Sequence, residues 1–172
     1  MTLAVWLGFL LAALLIAVTP GPGAVLSVGT GMRHGYRAAL TAILGLQAAI
    51  VVHLLIVAIG FGALLATSET AFLVWLGIQK WLAPAMPVDV DRLPVQRSGL
   101  FIQGLLVNLT NPKAIIFVGA LVPQFIDPGR AQLQQYLLIA ATLCASDVAV
   151  MSAYALTGRR LGAWMRDPQA IL

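Results

Sequence analysis

The chain has 172 residues, of which 60% are hydrophobic and 9% charged, and its formal net charge is +4. Soluble domains carry roughly 25% charged residues, so there is too little polar surface here to clothe a soluble globule, and a soluble enzyme is excluded. The positive charge is no nucleic-acid footprint, because Arg33, Arg37, Lys80, Arg92, Arg97, Arg159, Arg160 and Arg166 fall between apolar runs and not on one face, which is how loop charges set membrane topology.

Positions 1–32 carry no formal charge, nor do positions 38–68, and each stretch exceeds the ~20 apolar residues that cross a bilayer. The start of the chain lacks the positive n-region and the small-x-small cleavage pattern of a signal peptide, so Leu3–Val18 is predicted to be a retained helix, continuing brokenly to Thr30. The interruption is Thr19-Pro20-Gly21-Pro22-Gly23. Two prolines and two glycines cannot continue an α-helix without freeing backbone amides and carbonyls. Inside a bilayer such groups are tolerated only where protein or a water-filled cavity covers them, which makes the break a candidate site; the plainer reading is a packing kink.

The second span is predicted at 38–66 and contains Gln47 and His53. Gln47 is placed toward the cytoplasmic end, lining a cavity or packing, and His53 is read as a helix-to-helix hydrogen bond. The next apolar run, 71–83, has 13 residues, short of the ~17 needed to cross. Charge argues the other way. Arg33 and Arg37 follow the first span, Glu69 the second, and Arg159, Arg160 and Arg166 the last, so the N-terminus is predicted outside. Lys80, Arg92 and Arg97 are then cytoplasmic as well, provided that 71–83 does cross, and the charge pattern is given the greater weight. Positions 84–98, with Pro84, Pro87, Pro94, Asp89, Asp91 and Arg92, read as a polar linker between two halves.

The third long run, 100–126, is interrupted in its turn by Asn108-Leu109-Thr110-Asn111-Pro112-Lys113, and a last run covers 133–157. Breaks in corresponding places of two halves are the sequence pointer to inverted-repeat transporters, whose substrate sits near the midplane between half-helices. There a new helix N-terminus offers amides to a carboxylate, and freed carbonyls can meet an ammonium. An amino-acid zwitterion suits both. The candidate substrate-binding residues are therefore Thr19, Pro20, Gly21, Gly23, Gln47, Asn108, Thr110, Asn111 and Pro112. Asp147, with Ser146 in the last run, stands where a carboxylate costs ~2.5–3.5 kcal/mol on insertion scales and so faces a cavity or a partner. It reads as a proton carrier or an ammonium ligand, or else as half of a buried pair with Lys113 or His53. Lys113 itself is read either as part of such a pair or as a snorkelling side chain. Trp6, Trp75, Trp81 and Trp164 read as interfacial anchors. Cys144 has no partner cysteine in the chain, so neither an intramolecular disulfide nor a CxxC metal pair is available. No cofactor is expected.

The fold class that follows is an all-α integral membrane protein, a multi-span helical bundle with two broken helices. Its expected organisation is a first repeat at 1–83, a linker at 84–98 and a second repeat at 99–172.

These motifs resemble one known group. Thr19-Pro20-Gly21-Pro22-Gly23 with His34-Gly35-Tyr36-Arg37, then Gly45-Leu46-Gln47, Trp75-Leu76-Gly77-Ile78-Gln79, Asn108-Leu109-Thr110-Asn111-Pro112-Lys113, Pro123-Gln124-Phe125 and Asp147 are similar to the pattern of the RhtB/LysE superfamily of amino-acid exporters. The likeness is closest to its homoserine, homoserine lactone and threonine efflux branch. The resemblance implies a multi-pass protein of the bacterial inner membrane that exports small neutral amino acids in exchange for protons, through two inverted three-span repeats. Against that pattern, the third span is short by about ten residues, close to half a span, and the counterpart of a sixth span is not expected before Leu172. A second hypothesis follows from the shortening: a transport-incompetent chain, or one that acts only as a homo-oligomer that covers its broken helices. A membrane enzyme is not expected, since His34 and His53 lack a placed nucleophile and no metal-ligand cluster is seen.

Overall fold

A computed structural model describes residues 1–65 and 99–165. The 71–83 run, the 84–98 connection, Glu69, Trp75, Trp81 and Arg166 lie outside the described residues. The described chain is helical: α1 Leu3–Val18, α2 Pro22–His34, α3 Tyr36–Leu65, α4 Leu100–Leu109, α5 Pro112–Ile116 and α6 Gln132–Trp164. α5 runs on through a π turn at Phe117–Leu121 and a 3-10 turn at Val122–Phe125.

Two helices, Tyr36–Gly60 within α3 and α6, are long and apolar enough to cross a membrane by themselves. α1 with α2, and α4 with the α5 segment, qualify as bent pairs, with bends of 57° and 54°. Both bends fall where proline and asparagine or glycine were predicted to break the helix. α6 runs seven residues past the expected end at Thr157, because Gly158 and Gly162 are taken up in packing and do not end the helix. α2 and α3 are joined by one residue, Gly35, whose φ of 79° suits a glycine and strains any other side chain.

The halves of the chain interlock. α2 packs along α6, where a Cβ on Gly31 would collide with the Ala155 carbonyl and one on Gly158 with the Val28 carbonyl. α4 packs along α3 in the same way, with Gly104 against the Ala42 carbonyl and Gly45 against that of Phe101. Membrane helices have no hydrophobic drive to associate, so close backbone approach at small residues supplies the van der Waals contact that holds them. Leu100, at the start of α4, borders a cleft with Tyr36, Ala38 and Thr41 at the start of α3, while Leu109, at its end, meets His53 farther along α3, so these two helices run in the same direction. Leu65 and Leu100 therefore sit at opposite ends of the bundle.

Two apolar clusters divide the interior by depth. Phe9, Leu54, Val57, Phe117, Val122 and Ile139 form the one at the end of the N-terminus. Leu26, Ala39, Ile43, Leu100, Val107 and Ala155 form the other. Arg33, Arg37, Arg159 and Leu100 border clefts at this second end, so these three arginines gather on one face as the topology rule requires of a cytoplasmic side, while Arg130 at the other end is paired with Asp127. Large apolar side chains point outward along the helices, among them Leu7, Leu11, Leu15, Leu55, Ile56, Ile59 and Leu137. In water they would be an aggregation hazard; in lipid they are the ordinary boundary.

Candidate functional site

The two breaks meet at the seam between the two apolar clusters. The proline positions explain which backbone groups they free. In a continuous helix the carbonyls of Ile16 and Val18 would accept from residues 20 and 22, and both are proline, with no N–H to give. Each finds a donor from the other half of the chain: Lys113 Nζ donates to the Ile16 carbonyl at 2.8 Å, and the Tyr154 hydroxyl to that of Val18 at 2.8 Å. Lys113 Nζ also donates to the Thr19 carbonyl at 2.6 Å. Thr19 itself closes α1 by donating its hydroxyl to the Leu15 carbonyl.

The second break is served reciprocally from the first half. The Leu109 carbonyl lies 3.3 Å from His53 Nε2, which is the helix-to-helix bond expected of that histidine. Asn108 is buried and donates to the Leu46 carbonyl at 2.9 Å, while its own oxygen accepts from Asn111 Nδ2 at 3.2 Å. Asn111 in turn caps α5, its Oδ1 accepting from the Lys113 amide at 3.0 Å. Asn108→Ala should cut this chain at its root and lower stability by about 1–2 kcal/mol, read as an earlier thermal unfolding in detergent.

A cavity of about 60 Å³ opens where the breaks meet, room for roughly four to six waters at ~10–15 Å³ each. Gly21, Gly23 and Ala24, at the uncapped N-terminus of α2, line it together with Asn108, Asn111, Lys113 and Asp147. Leu46, Phe117, Leu143 and Met151 supply apolar wall. One wall therefore carries positive character, from α2 amides and the Lys113 ammonium, and another carries a carboxylate. Gln47 donates to Asp147 Oδ2 at 2.6 Å.

Among the residues picked out from the sequence, Gly21, Gly23, Asn108, Asn111 and Asp147 are thus brought to one cavity. Gln47 stands behind Asp147 and off the lining, and Thr19, Pro20, Thr110 and Pro112 are exposed on the outer side of the breaks. Gln47 also lies deeper than expected. The helix starts at Tyr36, and eleven residues at 1.5 Å each carry Gln47 about 16 Å in, half of a ~30 Å hydrocarbon core. Asp147's direct hydrogen-bond partner is Gln47, and Lys113 turns inward onto the first break without snorkelling. Trp6, read as an anchor, is tied to α6 through Thr142 Oγ1 at 3.1 Å. Lys113 is the lining residue the candidate set lacked, and its signal was present: it is the one charge in the 100–126 run, and an ammonium at that depth must find acceptors.

The LysE type translocator family model matches residues 14–172. The chain is similar to a homoserine/homoserine lactone efflux protein of Salmonella typhimurium, 40% identical over 181 aligned positions that cover 98% of this chain and 87% of the relative. That aligned length exceeds the 172 residues of the chain, so the relative carries internal residues that this chain lacks. A leucine efflux protein of Klebsiella pneumoniae is 29% identical, covering 89% of this chain and 78% of the relative, and a threonine efflux protein of Escherichia coli is 27% identical, covering 84% and 79%. No solved structure matches.

Proposed function

We propose that this chain, which belongs to the LysE type translocator family, exports small neutral amino acids from a bacterial cell across the inner membrane in exchange for protons, with homoserine, homoserine lactone and threonine as its substrates. The observation that carries the reading is the cavity at the meeting of two broken helices, with α2 amides and Lys113 on one wall and Asp147 on another. A zwitterion fits that polarity: its carboxylate faces the α2 N-terminus and its ammonium faces Asp147. The lactone keeps the ammonium and loses only the first of these contacts. The names of the Salmonella and Escherichia relatives support the substrate class.

Antiport follows if one carboxylate serves both ions. Asp147 holds either the substrate ammonium or a proton, so a proton arriving from outside releases the substrate there, and the proton must leave inward before the next substrate binds. Each proton entering down ~100 mV supplies about 2.3 kcal/mol, enough for roughly fortyfold accumulation outside. The cavity is small, and a substrate enters by displacing its water-sized volume and parting the breaks that Lys113 and Tyr154 tie together. The two bent pairs, which run in opposite directions through the bundle, support reading 1–83 and 99–172 as inverted repeats about that site.

Proteoliposomes reconstituted with the chain should accumulate labelled homoserine and threonine when a proton gradient is imposed, and only equilibrate them without one. A second reading, that the chain acts only as an assembly of copies, is favoured by the internal residues it lacks relative to its Salmonella relative. It requires flux to disappear in vesicles that hold one copy each, whereas the first reading requires flux there.

A further inference from the structure

We propose that Lys113 sets the charge class of the substrate: its ammonium fills a cage of backbone carbonyls at the end of α1 that would otherwise receive a second ammonium, so the site takes amino acids with neutral side chains and rejects basic ones. The inference rests on the transporter reading above.

The cage is a cation site by construction. Pro20 removes the donor for the Ile16 carbonyl, which lies in the last turn of α1 at the negative end of its dipole, and the bend removes that for the carbonyl of Thr19, the residue that follows the helix. Lys113 Nζ sits 2.8 and 2.6 Å from them, the separations of charge-assisted hydrogen bonds. Its stem runs beside Gly21, where an added Cβ would come within 3.5–3.8 Å of Nζ, Cε and Cδ. Ile16, Gly21 and Lys113 all line the cavity that Asp147 also lines. A bound amino acid with its α-ammonium at Asp147 would bring a second ammonium, on a side chain of three or four carbons, into a small cavity whose carbonyl cage Lys113 already occupies. Two effects then exclude it: the acceptors are taken, and the two like charges would share one small cavity. Truncating Lys113 opens the cage to the cavity and leaves the Ile16 and Thr19 carbonyls without their cation, a vacancy that a second ammonium fills better than a hydroxyl does.

The test uses the whole chain as wild type, Lys113→Ala, Lys113→Gln and Lys113→Arg. One arm measures competition of unlabelled L-ornithine and L-lysine against labelled homoserine uptake; the other measures thermal unfolding in detergent with n-propylammonium chloride, against tetramethylammonium chloride as the salt control. Ornithine should compete with Lys113→Ala at concentrations about tenfold lower, or better, than with wild type, since like-charge juxtaposition is strongly penalised. Lys113→Arg should keep the exclusion. Propylammonium should raise the unfolding temperature of Lys113→Ala and leave wild type unchanged. If Lys113→Ala does not fold, Lys113→Gln is read in the same two arms, with the same expectation. A folded neutral variant that excludes ornithine as wild type does, and gains nothing from propylammonium, would overturn the proposal. Should wild type carry no homoserine, the transporter reading fails, and the propylammonium arm still decides whether the cage exists.

Discussion

Vesicles carrying Asp147→Asn are expected to equilibrate homoserine and never accumulate it, whatever proton gradient is imposed. Asp147 lies on the cavity wall, half-buried, with Gln47 donating to one of its oxygens at 2.6 Å. Gln47 is 7% exposed, and its own amide oxygen has no hydrogen-bond partner. Asparagine keeps the shape of aspartate and can donate to that idle oxygen, so the pair survives the substitution and the bundle should fold. What disappears is the one group proposed to hold either a proton or a substrate ammonium. The accumulation ratio should fall from as much as roughly fortyfold at ~100 mV to one, and homoserine affinity should drop about tenfold or more with its countercharge gone. The measurement is the ratio of labelled homoserine across the membrane as the pH difference is varied. A ratio that still follows the gradient in this variant would move coupling to another group.

The largest effect on folding is expected at Gly104→Val. Its Cβ would enter the backbone of α3 at Ala42, and its neighbour across the crossing, Gly45, is held equally tightly by the backbone at Phe101 and Leu105. A flexible side chain could swing aside, but a helix carbonyl cannot, so α3 and α4 must separate. Overpacking a core costs typically about 1–3 kcal/mol and more where nothing can yield; here ~3 kcal/mol or above is expected, with Asn108 losing its hold on the Leu46 carbonyl in consequence. Little folded protein should survive size-exclusion chromatography in detergent. Gly29→Ala is the matched control. Nothing lies within 4 Å of its added Cβ, and a helix-interior alanine should leave stability unchanged or raise it by up to about 1 kcal/mol. Equal behaviour of the two variants would refute the packing account.

Membrane residence, the spans within the described residues and both breaks were legible in the sequence because each rests on local chemistry: charge-free runs, and prolines that cannot donate. Asp147 was legible for the same reason, since an acid in an apolar run needs a partner wherever it points. The partners were not. Choosing between Gln47, His53 and Lys113 for Asp147 depends on depth and facing, and two bends of 57° and 54° reset both for everything beyond them. Thr19, Pro20, Thr110 and Pro112 show the limit plainly: a break contributes one face to a cavity and turns the other away, and composition does not say which. Lys113 is the converse case, where the need for acceptors was visible and their location 97 and 94 positions away was not.

The interlocking of the halves constrains how the protein is made. α2, complete by His34, lies along α6, which ends at Trp164. At 5–20 residues per second, on the order of ten seconds of synthesis separates a helix from the surface that covers it. During that interval the glycine face of α2, with Ser27 and Thr30 destined for full burial, and the carbonyls stripped of donors by Pro20 and Pro22, have no native cover. Until α6 emerges, the cavity between the breaks therefore stands open on the side that α6 closes.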